Sequence, residues 1–476
     1  MLDDTQPGEL LAALHGVLGD RGILLGADTD AYCHDWRDLY QGATPAVIRP
    51  ADTAELAAAV KICAARRVAM VPQGGNTSMV GGAVPDESGG QIVVSLARLN
   101  RIRDVDPIDM TMIAEAGVPW QTAQTHAASA GLLLPLSISS EGTAQVGGIL
   151  STNAGGNNTL RYGNARDLVL GIEAVMPDGE VLQALRRLRK DNTGYALRHL
   201  LIGAEGTLGF ITAAVLKLVP RPVETAVALC GVPSPEAATE LFRLFQRHDA
   251  AAIQAFEFMS GTGMGFVLAH IPGATLPLAS PAAHYALVEL ASTRADAGLR
   301  ASLETVLETA LDAGLVEDAA IAESGAQRDA IWKLREEHAE AQKRAGASVK
   351  NDVSVPIARV PELIARASEA CIALIPGTRP VPFGHLGDGN IHLNFEQPTD
   401  MSAAAFLARS DDIMHTVNDI VRELGGSFSA EHGVGRLKTT MMPEWRGGAE
   451  LDTMRRIKSA LDPHGLMNPG KLFPQA

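Results

Sequence analysis

The chain has 476 residues, 46% of them hydrophobic and 20% charged, with a formal net charge of −15. That length calls for two or three folding units, and that balance of apolar and charged residues describes a folded protein. The acidic excess argues against a nucleic-acid surface, which needs basic patches, and no run of roughly 18 apolar residues offers a membrane-spanning helix. The opening Met1-Leu-Asp-Asp-Thr lacks the basic-then-apolar order of a secretion signal. Cys33, Cys63, Cys230 and Cys371 are far apart and form no C-x-x-C pair, which suits reduced thiols and a cytoplasmic location.

In chain order, Gly8 to Leu18 carries apolar residues at helical spacing, and a polar stretch follows as far as Tyr40. From Pro45 onward Ala46-Val-Ile48, Val68-Ala-Met-Val71 and Ile92-Val-Val-Ser-Leu96 read as buried strands, alternating with a helix from Ala54 to Arg66. Paired glycines then dominate, at 74–75, 81–82, 147–148 and 155–156. The basic run Arg186-Arg187-Leu-Arg189-Lys190 is short and interrupted, and fits a solvated loop or a docking edge. A strand over Phe210–Val219 and the breaker Pro220-Arg-Pro222 close the first half. Beyond them, Thr225–Cys230 and His284–Leu290 read as strands, and Pro235–Arg247, Gly298–Ala313 and Ala326–Ala345 as helices. The pattern is α+β, with a mixed sheet carrying helices on one face. The proline-punctuated tail Leu461-Asp-Pro-His-Gly-Leu-Met-Asn-Pro-Gly470 must pack somewhere specific or fray.

Three glycine-rich loops share one chemistry. Val71-Pro-Gln-Gly-Gly-Asn-Thr-Ser78 follows a strand and offers unobstructed backbone N–H groups with small polar side chains, as a phosphate nest does. Ser139-Ser-Glu-Gly-Thr-Ala-Gln-Val-Gly-Gly148, extended by Ser151-Thr-Asn-Ala-Gly-Gly156, repeats that character, and Gly203-Ala-Glu-Gly-Thr-Leu-Gly209 runs straight into a strand. Any one of them also reads as a tight turn. Together they can bind an extended ligand with two phosphates. Neither G-x-G-x-x-G opening a helix after the first strand nor G-x-x-x-x-G-K-S/T is present, which disfavours a Rossmann NAD site and a P-loop ATPase.

His385-Leu-Gly-Asp-Gly-Asn-Ile-His392 carries the other signal. Asp388-Gly389 predicts a two-residue type I′ hairpin, in which His385 and His392 face each other across the strands with Asn394 on the same face. A carboxylate such as Glu431 completes a two-histidine, one-carboxylate set with open positions, the pattern of a catalytic metal. The same residues also fit a polar hairpin with solvated histidines.

Pro72-Gln-Gly-Gly-Asn-Thr77, Gly147-Gly148 with Thr152-Asn-Ala-Gly-Gly156, Lys190-Asp-Asn-Thr-Gly194 and Gly203–Gly209 together resemble the FAD-binding half of the vanillyl-alcohol-oxidase-like flavoproteins. Gly384–His392, Glu431-His-Gly-Val-Gly435 and Asn468-Pro469 resemble the D-2-hydroxyacid dehydrogenase branch, which includes D-2-hydroxyglutarate and D-lactate dehydrogenases. The resemblance spans Pro45 to Phe473. It implies an N-terminal helical segment over 1–44, a two-lobed PCMH-type FAD-binding domain over 45–222, a substrate and metal domain over 223–460, and a tail over 461–476 that returns to the FAD.

In this likeness FAD is held by Pro72, Gly74, Gly75, Asn76, Thr77, Ser78, Gly81 and Gly82 of the first loop. Ser140, Gly142, Thr143, Gly147, Gly148 and Asn153 follow from the second, Gly206 and Ile211 from the third, and Asn468 from the tail. Some relatives attach FAD through a histidine; none lies in Gln73–Gly82, so the expectation is dissociable FAD. The likeness makes His385, His392 and Glu431 the ligands of a divalent metal. Zinc suits that donor set, and manganese fits it too. His432 is then the general base for the substrate hydroxyl, while hydride leaves for the flavin.

The resemblance places Arg335 and Lys350 where a distal carboxylate binds in D-2-hydroxyglutarate dehydrogenases, with Asn394 as an added donor. Arginine can grip such a group through two parallel N–H bonds. Arg335 could otherwise pair with Glu336 or Glu340 on its own helix. Two departures bear on substrate: Ala339 stands where the family carries a hydroxyl, and Asn351 where bacterial relatives often carry histidine. The resulting expectation is oxidation of D-2-hydroxyglutarate to 2-oxoglutarate, with D-lactate, D-malate or glycolate as alternatives. A flavoprotein, cytochrome or quinone would accept the electrons, and a homodimer is implied. The same donor set without flavin would suit a zinc hydrolase, and a noncatalytic FAD-binding subunit would have no need of these ligands.

Overall fold

A computed structural model describes residues 6–474 of the protein. The chain divides into two compact units. The first comprises residues up to Gly156, Tyr162–Arg221 and everything from Glu431; the second comprises Asn157–Arg161 and Pro222–Ala430. The return to the first unit begins at Glu431, thirty residues before the expected tail at 461, and residues 434–435 and 466–468 are bonded into it.

In the first unit the helix Thr53–Ala65 starts at Asp52, whose side chain accepts from the Glu55 N–H, while the Glu55 carboxylate accepts from the Ala51 N–H. Its buried Leu56, Val60 and Cys63 share a core with Leu10, Leu14 and Leu18 of the helix Gln6–Leu18. Both pack on a four-stranded sheet ordered Ile23–Leu24, Val47–Ile48, Gln91–Ser95, Ala69–Gln73, in which the last three strands are parallel. The fully buried run Gln91–Ser95 is what a parallel strand covered on both faces requires. A second sheet of five antiparallel strands is ordered Ile102–Asp106, Thr111–Glu115, Phe210–Lys217, Val169–Val175, Val181–Ala184. These are the two lobes. The tail does not fray: Met467 bridges Met70 in parallel, with Met70 N–H bonded to Leu466 O at 2.7 Å and Asn468 N–H to Met70 O at 2.8 Å.

The second unit is built on an eight-stranded sheet whose pairings are all antiparallel. Its path runs Asp318–Ile321, Glu224–Val232, His284–Ser292, Ile253–Ser260, Arg379–His385, Asn390–Glu396, Ser348–Val349, and Asp352–Ser354 also pairs with Asn390–Glu396. The expected α+β class holds, but helices cover both faces of this sheet where one was expected. Phe256 packs on Phe242 and Phe245 of the helix Pro235–Asp249, at ring centroids of 5.0 and 6.2 Å. On the opposite face Met259, Leu287 and Phe383 pack with Met264, Ile331 and Leu334 from the helices Gly261–His270 and Gly325–Glu336. Ile253–Ser260 is buried at every residue, so alternating side chains feed two cores.

Candidate functional site

The three glycine loops of the first unit meet backbone to backbone. A β-carbon on Gly75 would stand 2.1 Å from Thr143 O, and one on Gly206, at φ +72°, 2.7 Å from Pro72 Cγ. Only glycine permits either approach. Gly74 faces Gln145, Gly81 lies against the Tyr40 ring and Gly147 against Ala116, whereas Gly148 has open space above it. The polar side chains of the first loop shape it from within: Asn76 Nδ2 donates to His34 O at 2.7 Å, and Ser78 Oγ accepts from the Val80 and Gly82 N–H groups at 3.3 and 3.2 Å. Thr77 between them is half-buried. Ser140 O closes the second loop by accepting from Thr143 and Ala144, and Gly142 lies near Gln121.

Two expected contacts have other work in the structure. Asn153 ends the helix Val146–Thr152 in a left-handed conformation, and its Oδ1 accepts from the Arg166 N–H at 2.9 Å. Ile211 is a core residue of the antiparallel sheet, packed with Ile149 and Leu216.

Asn468, at φ +44°, donates its side-chain amide to Gly82 O at 3.0 Å and Glu205 O at 2.8 Å. Its Oδ1 is buried and has no hydrogen-bonding partner among the described residues; the same holds for Gln145 Oε1, which lies 3.3 Å from where a Gly74 β-carbon would be. Two orphaned acceptors beside a glycine cradle fit FAD, which brings an imide N–H and hydroxyl donors. Sequence reasoning missed Gln145 and Glu205. The only signal for Glu205 was an acidic residue inside a glycine-rich run. Its backbone is left-handed at φ +51°, and its buried carboxylate accepts from the Val434 and Gly435 N–H groups at 2.8 and 2.7 Å. Glu431 and His432 therefore belong to a bend tied down two residues later, with Gly433 at φ +77°, and not to a regular strand.

In the second unit the hairpin differs from the expected one. Four residues, Leu386–Gly389, make the turn, and of Asp388 and Gly389 only the glycine has positive φ, at +85°. Asp388 Oδ1 accepts from the Asn390 N–H at 3.1 Å, a local bond that holds the aspartate in the right-handed region a type I′ turn forbids. The register consequently pairs His385 with Asn390 and Phe383 with His392. The two histidines lie on a diagonal of one face instead of directly opposite. Long side chains bridge such diagonals, and the rings meet edge-on with centroids 5.8 Å apart.

Glu431 follows Ala430, whose N–H is bonded to Asp352 O at 3.3 Å in the second unit's own sheet. Ligand atoms of His385, His392 and Glu431 all lie within 4.8 Å of one another, a separation one cation can span.

A carboxylate stands behind each imidazole. Glu257 Oε1 lies 2.8 Å from His385 Nδ1, and Asp352 Oδ1 lies 3.8 Å from His392 Nδ1 and accepts from Asn390 Nδ2 at 3.0 Å. Arg335 is buried, and its partner is neither Glu336 nor Glu340. Its Nε donates to Glu257 Oε2 at 2.7 Å, while Arg344 takes Glu340. Although burial opposes the charge, His385 and Arg335 hold the Glu257 carboxyl below the usual range. Asn394 shares the histidine face, but its Oδ1 accepts from the Asn351 N–H and its Nδ2 donates to Gln342. Lys350 and Ala339 are exposed, and Lys350 exerts its charge on Glu396.

Residues 221–472 match the family described as FAD linked oxidases, C-terminal domain, and residues 44–184 match the FAD binding domain. D-2-hydroxyglutarate dehydrogenase of Xanthomonas citri pv. viticola is 37% identical over 94% of this chain and 93% of its own length. The same-named protein of Stutzerimonas stutzeri is 34% identical over 95% and 96%, and the mitochondrial one of Arabidopsis thaliana 35% over 97% and 80%. Among solved structures, p-cresol methylhydroxylase superposes with a TM-score of 0.76 at 17% identity, covering 99% of this chain and 98% of that one. Alkyldihydroxyacetonephosphate synthase gives 0.75 at 16%, covering 97% and 84%. At such identities the likeness concerns the fold.

Loops, orphaned acceptors and sheets of this kind define a flavoprotein oxidoreductase. The chain belongs to the FAD-linked oxidase family, in its D-2-hydroxyacid dehydrogenase branch. It is an FAD-dependent dehydrogenase acting on a CH–OH donor.

Proposed function

We propose that this protein oxidises D-2-hydroxyglutarate to 2-oxoglutarate with dissociable FAD and a divalent ion, zinc first. The observation that carries the reading is the sharing of Glu257 by His385 and Arg335, which brings a cation-binding imidazole and a buried guanidinium to one sheet face. Relatives bearing that activity in their names, 34–37% identical over nearly the whole chain, support it. FAD, when bound, supplies the hydride acceptor, and a divalent ion on His385, His392 and Glu431 supplies Lewis acidity toward the 2-hydroxyl.

The chain's own residues do the rest. His432 takes the hydroxyl proton on an imidazole nitrogen. Arg335 receives the distal carboxylate on its two Nη groups, which have no acceptor among the described residues. Glu205 steadies the backbone just beyond His432. The absence of an NAD fingerprint favours a flavoprotein, cytochrome or quinone as electron acceptor.

A screen of D- and L-hydroxyacids with an artificial dye acceptor, before and after chelation, tests this. Fastest turnover is expected for the five-carbon D-diacid, lost on chelation and restored by metal. Better turnover of D-lactate would move the substrate to a monocarboxylate, and activity that survives exhaustive chelation would remove the metal.

A further inference from the structure

We propose that Glu257 is a positioning residue that couples ion binding at His385 to carboxylate recognition at Arg335. The proposal rests on reading His385, His392 and Glu431 as a cation site. Glu257 lies in the central strand Ile253–Ser260, and the pairings Phe258–Gly384 and Met259–Phe383 carry it directly opposite His385. One oxygen is 2.8 Å from His385 Nδ1 and the other 2.7 Å from Arg335 Nε, and the side chain is only 1% exposed.

The first contact requires the imidazole proton on Nδ1, which leaves the Nε2 lone pair for the ion. The second takes the inner nitrogen of the guanidinium and turns its two Nη groups outward as a fork. The Phe383 ring supports that fork, 5.1 Å from Arg335 Cζ, and is itself 5.0 Å from His392. Glu257 also carries the negative charge that lets a guanidinium and a divalent cation occupy neighbouring positions, since a bare Arg335 would repel the ion. Glu289, on the adjacent strand, cannot substitute. Its oxygens are engaged by Gln254 at 2.7 Å, by Trp332 at 2.5 Å and by Arg328.

The test is the dissociation constant for Zn²⁺, measured by chelator competition on the FAD-loaded protein. Wild type is compared with Arg335→Met, Glu257→Asp, Glu257→Gln and the double variant Glu257→Gln/Arg335→Met. The double variant removes both charges together, so neither is stranded, and thermal melts report folding separately. Arg335→Met is expected to hold Zn²⁺ within about threefold of wild type, and the double variant to hold it about 10–100-fold more weakly. Glu257→Asp should fall between. Glu257→Gln should weaken Zn²⁺ binding and also lower the kcat/KM ratio of D-2-hydroxyglutarate to D-lactate. A residue that only supports the fold would lower the melting temperature and leave the constant of the folded protein alone. Equal affinities for Arg335→Met and the double variant would overturn the proposal while the cation site stands. A wild-type protein that binds no Zn²⁺ would overturn the cation site, and the proposal with it.

Discussion

Glu205 holds Gly435: its buried carboxylate lies 2.7 Å from that backbone nitrogen and 2.8 Å from that of Val434. Glutamine at 205 can accept one of these N–H groups but meets the other with an N–H of its own. Glu205→Gln should therefore lose roughly 1–3 kcal/mol of stability in urea unfolding. A loosened bend at Glu431-His432 is expected to lower kcat by about 100-fold while flavin content stays near wild type. Unchanged kcat would mean that the bend is held by other contacts.

Asn468 ties the Gly82 and Glu205 carbonyls together, and its orphaned oxygen is placed for a donor on FAD. Asn468→Ala removes both functions at once. The variant should lose flavin on gel filtration, read as the ratio of flavin to protein absorbance, and regain it at high added FAD. Its apoprotein should also be less stable by about 2 kcal/mol, because two buried carbonyls lose their donor. Stoichiometric flavin after filtration would place the cofactor away from this residue.

Glu396 is fully buried on the same face as His392 and Asn394, with the Ser348 hydroxyl beside its carboxyl. Burial pushes its carboxyl up to about 7, against the pull of the Ser348 hydroxyl and of the Arg379 and Lys350 charges. Between the ordinary glutamate range and pH 7 the folded protein keeps this proton while the unfolded chain has lost it. Stability therefore falls as pH rises through that window and levels off above it. At pH 8 Glu396→Gln should be more stable than wild type by on the order of 3 kcal/mol, with the gain vanishing near pH 4. A gain that does not change with pH would show that the carboxyl is not the cause.

Arg335 is expected to decide between diacids and monoacids. Arg335→Lys keeps the charge but loses the fork and the Nε bond to Glu257. The ratio of kcat/KM for D-2-hydroxyglutarate to that for D-lactate should fall by about 2–4 kcal/mol, roughly 30- to 1,000-fold. An unaltered ratio would assign distal recognition elsewhere, with Lys350 the next residue to substitute.

The glycine loops and the His385, His392 and Glu431 set were legible because their chemistry is local: a loop needs particular residues at particular places, and an acid–histidine pair stands out. The hairpin register was not. It turned on one aspartate choosing a local bond over a left-handed backbone, which moved each histidine off its expected partner. Glu257 was hidden for a different reason. Its partners are 128 and 78 residues away in sequence, and an acid between Phe256 and Phe258 in an apolar run announces only that something must neutralise it. Helices on both faces of the second sheet were similarly illegible, since the apolar runs gave the strands but not how many sides were covered. Asn153 also caps the helix Val146–Thr152 in a left-handed conformation, a structural role the sequence did not announce.

The place beside Met70 at the edge of the parallel sheet is filled by Leu466–Asn468. Those residues leave the ribosome only after the whole second unit has been synthesised. The lobe cannot be finished vectorially, and its nascent form must wait with an open sheet edge.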